Sequence, residues 1–324
     1  MSWIKKKIFL IIVIILPSFL ALILCELFFK SVLGLGQPIV YDKSSIWGYS
    51  PRAEKIYQRF DGEVVTINAM GLRSKESWTN NSNRKVLFLG DSVTYGGSFV
   101  SDDQVFASLA CKDLESLSCF NGGVNAYGIL NMVARSHFDE RIDDADIVVF
   151  VFPWGDFLRG LNNSDTAHFI LREPPTYFSA TWEVLNFIAA KYTEYLKFGK
   201  KVDTYNSNLN DSFSVASFAY ENLKNEVQHL QSSGKNVLLI SSPNVDEIKG
   251  VTYNWINKIE SQIVNDFPDI YHPLLSEKLT LAYTENPLIF IDSVHLDSKG
   301  HLLYSKIIGN IIKELELIAT DLTS

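Results

Sequence analysis

Two short segments carry the residue types that acyl chemistry needs, Gly90-Asp91-Ser92 and Asp292-Ser293-Val294-His295. A serine hydroxyl is a weak nucleophile until a base takes its proton. An imidazole becomes that base when a carboxylate fixes its tautomer. Asp292 and His295 supply acid and base on one short loop, so one ring nitrogen is held while the other faces Ser92. Of the six histidines, His295 is the one that follows an apolar strand candidate directly, together with its acid. His137, His229 and His301 fall in expected helices, where a solvent-facing or capping role is the ordinary expectation. His168 and His272 fall in expected loops.

Positions 92 and 295 meet only if the elements between them form a suitable frame. Lys85–Gly90 is a short apolar run ending in glycine, and Ile147–Phe152 is apolar throughout, as expected of strands covered on both faces. Cys119–Asn121, Asn236–Ser241 and Leu288–Ile291 continue the series. Helical spacing is expected over Asp102–Leu117, Ile129–Ile142, Phe213–Gln231 and Leu302–Leu317. Strands alternating with helices predict a parallel sheet with helices on both faces, and a serine at a strand end sits where ligands bind in such sheets. Residues 157–213 interrupt the alternation and are expected to be an insertion. It holds an aromatic-rich helix over Thr181–Phe198 and a polar loop over Val202–Asn210. Residues 31–84 form a polar, aromatic lead-in with a short strand, Glu63–Asn68, closed by the turn Asn68–Gly71. Residues 79–83 are a loop before the main domain, 85–324.

Together these segments resemble the SGNH, or GDSL-type, hydrolases. Gly90-Asp91-Ser92 is similar to the family's first block, which holds the nucleophile, and Asp292-x-x-His295 to its last, which holds acid and base. Asn121-Gly122-Gly123-Val124-Asn125-Ala126-Tyr127-Gly128 resembles the second block, which implies Gly123 as a backbone donor to the oxyanion beside the N–H of Ser92. It is not the G-x-S-x-G elbow of α/β-hydrolases, since Thr94 stands at the second glycine. The likeness runs from about Arg84 to Leu317. Gly48-Tyr49-Ser50-Pro51 and Ile67–Arg73 look like the preface of membrane-anchored bacterial members. The resemblance implies a three-layer α/β/α, flavodoxin-like fold and a site that needs no metal or organic cofactor. One block departs from the pattern. After Ile147–Phe152 the family has an asparagine, whereas this chain reads Pro153-Trp154-Gly155-Asp156. Gly155 replaces a side-chain oxyanion donor, a loss that typically costs ~3–4 kcal/mol, or ~10²–10³ in rate. Gly155's own N–H, the Trp154 indole or Asn125 would substitute, or the site runs weakly. Asp91, Asn125, Trp154 and Asp156 are expected to line the substrate site.

Ile8–Phe29 is an almost uninterrupted apolar run, broken only by Pro17, Ser18, Cys25 and Glu26. At ~1.5 Å per residue it spans ~33 Å, against ~30 Å for a bilayer core. Lys5, Lys6 and Lys7 precede it and only Lys30 follows closely, which predicts a cytoplasmic N-terminus and an extracytoplasmic main domain. The competing signal peptide usually has a shorter apolar region and an A-x-A-like site, and Leu24 is bulky for lipoprotein processing at Cys25. Lys+Arg 29 against Asp+Glu 37, a net charge of −8, leaves no basic excess for a nucleic-acid backbone. Three cysteines are too few for a disulfide scaffold, though Cys111 and Cys119 either pair or stay as buried thiols.

The reading is a membrane-anchored serine esterase whose substrate is an acylated cell-envelope or exported glycan, or a small ester. Two alternatives stay open: an O-acyltransferase using the same triad, and an inactive, membrane-tethered binding or assembly protein.

Overall fold

The computed structural model describes residues 3–59, 62–79, 83–161, 179–186, 188–189, 209–275 and 277–321. His168 and positions 202–208 of the expected polar loop lie outside the described residues, as do positions 80–82 of the earlier loop.

Five strands form one parallel sheet: β5 (Arg84–Gly90), β6 (Leu117–Asn121), β7 (Ile147–Phe152), β8 (Asn236–Ser241) and β9 (Tyr271–Pro273). They lie in the order β6-β5-β7-β8-β9. Counted along the chain this is 2-1-3-4-5, the flavodoxin-like order, which leaves a crevice at the carboxyl ends of β5 and β7.

Strand side chains alternate between two cores. Leu87, Leu89, Phe120, Val148, Phe150 and Leu239 pack on one face against α4 (Ile129–Phe138), α5 (Leu209–Ser232) and α7 (Asn254–Asp266). Val86, Phe88, Val149, Val151 and Ile240 pack on the other against α3 (Phe106–Leu109), α8 (Glu277–Glu285) and α9 (Ser298–Asp321). The result is three layers, helix on sheet on helix. α6 (Val245–Ile248) follows β8 with its own capping box from Asn244 and Glu247.

Several expectations about elements are corrected. Leu288–Ile291 is not a strand of the sheet. Asn286 caps a 3-10 turn at Pro287–Ile289, and Phe290 makes only an isolated bridge to Leu296. The fifth strand is instead Tyr271–Pro273, three residues on the sheet edge, where proline is tolerated, so His272 lies in a strand rather than a loop. Asp102–Leu117 is helical only over Phe106–Leu109. Its start is pulled away because Asp102 accepts from Arg73 Nε (2.9 Å) and from Thr66 N (2.9 Å). The expected helix Ile129–Ile142 breaks at Asp139 into α4 and a 3-10 turn, Glu140–Ile142.

The lead-in makes two antiparallel hairpins, β1 (Tyr41–Ser44) with β2 (Gly48–Pro51) and β3 (Lys55–Gln58) with β4 (Val64–Ile67). Arg73 bridges Ile67 and Asn121, and its buried guanidinium donates to the carbonyls of Tyr95, Gly97 and Val100. Arg135 on α4 donates to Gly122 O and Gly71 O. The lead-in is thereby bonded to the loops around Ser92. Ahead of it, α1 (Trp3–Ser31) is a helix apolar and long enough to cross a bilayer, and none of its apolar window is buried by the rest of the chain. Cys111 and Cys119 form a disulfide.

Candidate active site

β5 ends at Gly90 because the chain needs room there. A Cβ at Gly90 would lie 2.0 Å from Thr94 Oγ1 and 2.6 Å from Val151 O. Asp91 then caps α2 (Ser92–Tyr95), with Oδ1 accepting from Val93 N (2.8 Å), and Ser92 is half-buried at the helix start.

The opposite wall is the loop ahead of α9. Ile291 N donates to His295 O (2.7 Å) and Val245 N to Ser293 O (2.9 Å), which fixes the loop against α6. Within it Asp292 Oδ1 accepts from the amides of Val294 and His295, each at 2.8 Å. His295 Nδ1 meets Asp292 Oδ2 at 2.7 Å, and Nε2 meets Ser92 Oγ at 2.8 Å. With Nδ1–H donating to the carboxylate, Nε2 is left to accept the serine proton. Partial burial pushes the Asp292 carboxyl up, but it is outweighed by the His295 amide and imidazole and the Val294 amide. The net position is below the usual carboxylate value, so Asp292 stays ionised. Ser92 and the distant pair Asp292 and His295 form one hydrogen-bonded chain.

The second-block residues pack against α2, where Asn121 Nδ2 donates to Thr94 O (2.8 Å). Gly123 N–H, expected to face an oxyanion, donates to Asn121 Oδ1 (2.9 Å). That position is a glycine for packing reasons, since a Cβ there would stand 2.4 Å from Tyr95 N. The amide with unusual geometry in this loop belongs to Ala126. The turn Val124–Tyr127 closes through Tyr127 N to Val124 O (3.1 Å) and holds Ala126 at a φ of 63°, a value that type II turns usually reserve for glycine. Asn125 O accepts the Tyr49 hydroxyl (2.7 Å), so the planar peptide aims the Ala126 N–H away from the lead-in. The Asn125 side chain donates to Tyr41 OH (2.8 Å).

Gly155 is half-buried in a 3-10 turn, Trp154–Leu158, that leaves β7. Trp154 is buried between Phe152 and Phe157 and lines a cavity of about 60 Å³ with Ser241, Pro243, Glu247, Ile256 and Glu260. Burial pushes the Glu247 carboxyl up to about 7. Asp156 is fully buried. Its Oδ1 meets Arg159 Nη1 at 2.6 Å, and the same nitrogen reaches Asp91 Oδ2 at 3.2 Å. Burial, and next the Asp91 charge, raises Asp156 well above the usual carboxylate range, and its Oδ2 has no hydrogen-bond partner among the described residues. Asp91 and Asp156 thus share the Arg159 guanidinium in a cluster next in sequence to Ser92. Arg159, which closes that cluster, was not singled out in the sequence. Its only signal is a cation three residues after Asp156.

No protein-family model matches the chain, and no curated protein matches it. Solved structures similar to it include a lipase/acylhydrolase from Enterococcus faecalis, 18% identical over 71% of this chain and 96% of that one (TM-score 0.44). Another is a member of the lipolytic protein G-D-S-L family from Veillonella parvula, 11% identical over 69% of this chain and 94% of that one (TM-score 0.44). A third is Axe2, an acetylxylan esterase from Geobacillus stearothermophilus, 13% identical over 72% of this chain and 95% of that one (TM-score 0.44). Each is a likeness of fold at low sequence identity.

Proposed function

We propose that this chain is a membrane-anchored serine esterase of the SGNH type that removes acyl groups, acetyl foremost, from a cell-envelope or exported glycan. The observation that carries the reading is the hydrogen-bonded chain Ser92–His295–Asp292 at 2.8 and 2.7 Å. Ser92 Oγ bonds to the ester carbonyl carbon while its proton passes to His295 Nε2. Asp292 stabilises the imidazolium that forms, and the proton then goes to the departing sugar oxygen as the C–O bond breaks. His295 next takes a proton from water as it attacks the acyl-serine, and returns it to Ser92 Oγ as the acyl–oxygen bond breaks and the carboxylic acid leaves. We assign the oxyanion to the amides of Ser92 and Ala126, supported by the helix start at Ser92 and the strained turn at Ala126.

Two features favour a bulky substrate outside the cytoplasm. Asp292 is exposed and His295 half-buried, which leaves the triad on an open rim. The Cys111–Cys119 disulfide suits an oxidising compartment. The test uses the full-length chain in detergent. A fluorophosphonate probe labels Ser92, and acetate is released from acetylated glycans. Absence of labelling leaves a binding protein. Acetyl transfer to a glycan acceptor that outruns acetate release makes it an acyltransferase.

A further inference from the structure

Glu26 is the one charged residue in the apolar run Ile8–Phe29, and a carboxylate at that depth needs partners. It has three. Its Oε1 accepts from Ala180 N (2.8 Å), and its Oε2 accepts from Thr181 N (2.9 Å) and Ser179 Oγ (2.8 Å). The two amides are the first of a helical segment described at 180–186 and 188–189. A second clamp lies one turn on. Glu183 Oε2 accepts from Gly36 N (2.6 Å), and Glu183 Oε1 pairs with Arg59 Nη2 (2.9 Å). The segment is therefore fixed at two points to the place where α1 ends.

Its other face is apolar and uncovered. Trp182, Leu185 and Ile188 follow one another at a spacing of three and are 42%, 52% and 57% exposed, while Ala180 is buried. Glu26 lies three residues before the end of the apolar run, ~5 Å along the helix axis. That matches the depth of ~5–10 Å at which amphipathic helices lie in the boundary between headgroups and acyl chains. Tryptophan, with an apolar body and one N–H, suits that layer. α1 and Val32 expose apolar surface as well.

We propose that the helical segment described at 180–186 and 188–189 lies flat in the outer surface of the bilayer that α1 crosses, with Trp182, Leu185 and Ile188 sunk among the lipids and Glu26 as the joint. This rests on reading α1 as a membrane span. It makes the anchor a two-point mount rather than a tether, so the catalytic domain keeps one orientation over the membrane.

The test is spin-label accessibility in the full-length protein, reconstituted into nanodiscs of phosphatidylethanolamine and phosphatidylglycerol. Cys25, the free cysteine among the described residues, is replaced by serine. Single labels are then placed by Leu185→Cys, by Leu16→Cys within α1, and by Gln231→Cys on the exposed end of α5. The Leu185 label should be reached by oxygen and shielded from a nickel chelate, at a depth of ~5–10 Å, while the Gln231 label is open to nickel. In a Glu26→Leu background the Leu185 label should gain mobility, with fluorophosphonate labelling of Ser92 reporting that the domain is still folded. A Leu185 label as open to nickel as the Gln231 label, with the Leu16 label in lipid, overturns the proposal alone. A Leu16 label in water overturns the membrane span and the proposal with it.

Discussion

At Asp156 a carboxyl is buried against a second one, Asp91, with the Arg159 guanidinium touching both. Asp156 is the one driven toward its protonated form, so an amide should replace it with little loss. Asp156→Asn is expected to keep stability within ~1 kcal/mol near pH 5. The sign with pH follows from the raised value. A carboxyl whose pKa is higher folded than unfolded gives stability present below ~4 and lost as pH rises. The variant should therefore gain on the wild type as pH climbs from 5 to 8 in urea denaturation. A difference that stays flat would place the proton elsewhere. Arg159→Met should cost about 1–3 kcal/mol, less than for a fully buried pair because Arg159 is 31% exposed. For the triad, Ser92→Ala and His295→Ala should each lower ester turnover by ~10³–10⁶, and the double variant should be no worse than either single one. Multiplying losses would mean that the two do not act as a unit. The serine, acid and base were legible because Asp292 and His295 share a loop and Ser92 ends an apolar strand. Ala126 and Arg159 were not. Nothing in an alanine announces a positive φ, and the arginine acquires its meaning only when folding sets two carboxylates beside it.

Among the elements, α9 begins at Ser298 directly after the triad loop, and the sequence places His301 on it as an ordinary surface or capping histidine. The structure buries it. Nδ1 accepts the Phe106 amide at 3.3 Å and the ring stacks on Phe106, which locks α9 to α3 on the far face of the sheet. Burial, then the positive charge of Arg73, pushes its pKa down to about 3. The unfolded chain takes up that proton near pH 6.5, so His301 contributes stability at neutral pH that is lost as pH falls from 6.5 toward 3. His301→Gln keeps an acceptor for Phe106 N–H but cannot titrate. It should be less stable than wild type at pH 8, and the gap should shrink or reverse by pH 5. An unchanging gap would mean that the ring titrates alike in the folded and unfolded chains. Strand positions were readable because β7 and β8 are apolar on both faces. Helix extents were less so. Asp102 gives its carboxylate to Arg73 and the Thr66 amide instead of starting a helix, and Asn286-Pro287 turns the chain where apolar residues suggested a strand.

For the whole molecule, the lead-in changes character between sequence and structure. Its composition is polar and aromatic, yet Arg73 and Arg135 bond it into the core, and Tyr41 and Tyr49 bond to Asn125. Those contacts join positions tens of residues apart, which no local pattern encodes. With α1 read as a membrane span, its orientation decides on which side the site lies. Lys5–Lys7 ahead of the apolar run argue for a domain outside the cytoplasm, and the disulfide argues the same way independently. A bridge closing so short a loop is worth ~2–3 kcal/mol, stability available only where it stays oxidised. Both arguments can be read from one preparation of bacterial spheroplasts making the full-length chain. Protease added outside should digest the residues beyond α1. Maleimide added after denaturation should reach Cys111 and Cys119 only once a reductant is present. A domain protected until the membrane is lysed, with both thiols reacting directly, would place the triad in the cytoplasm and remove exported glycans from its reach.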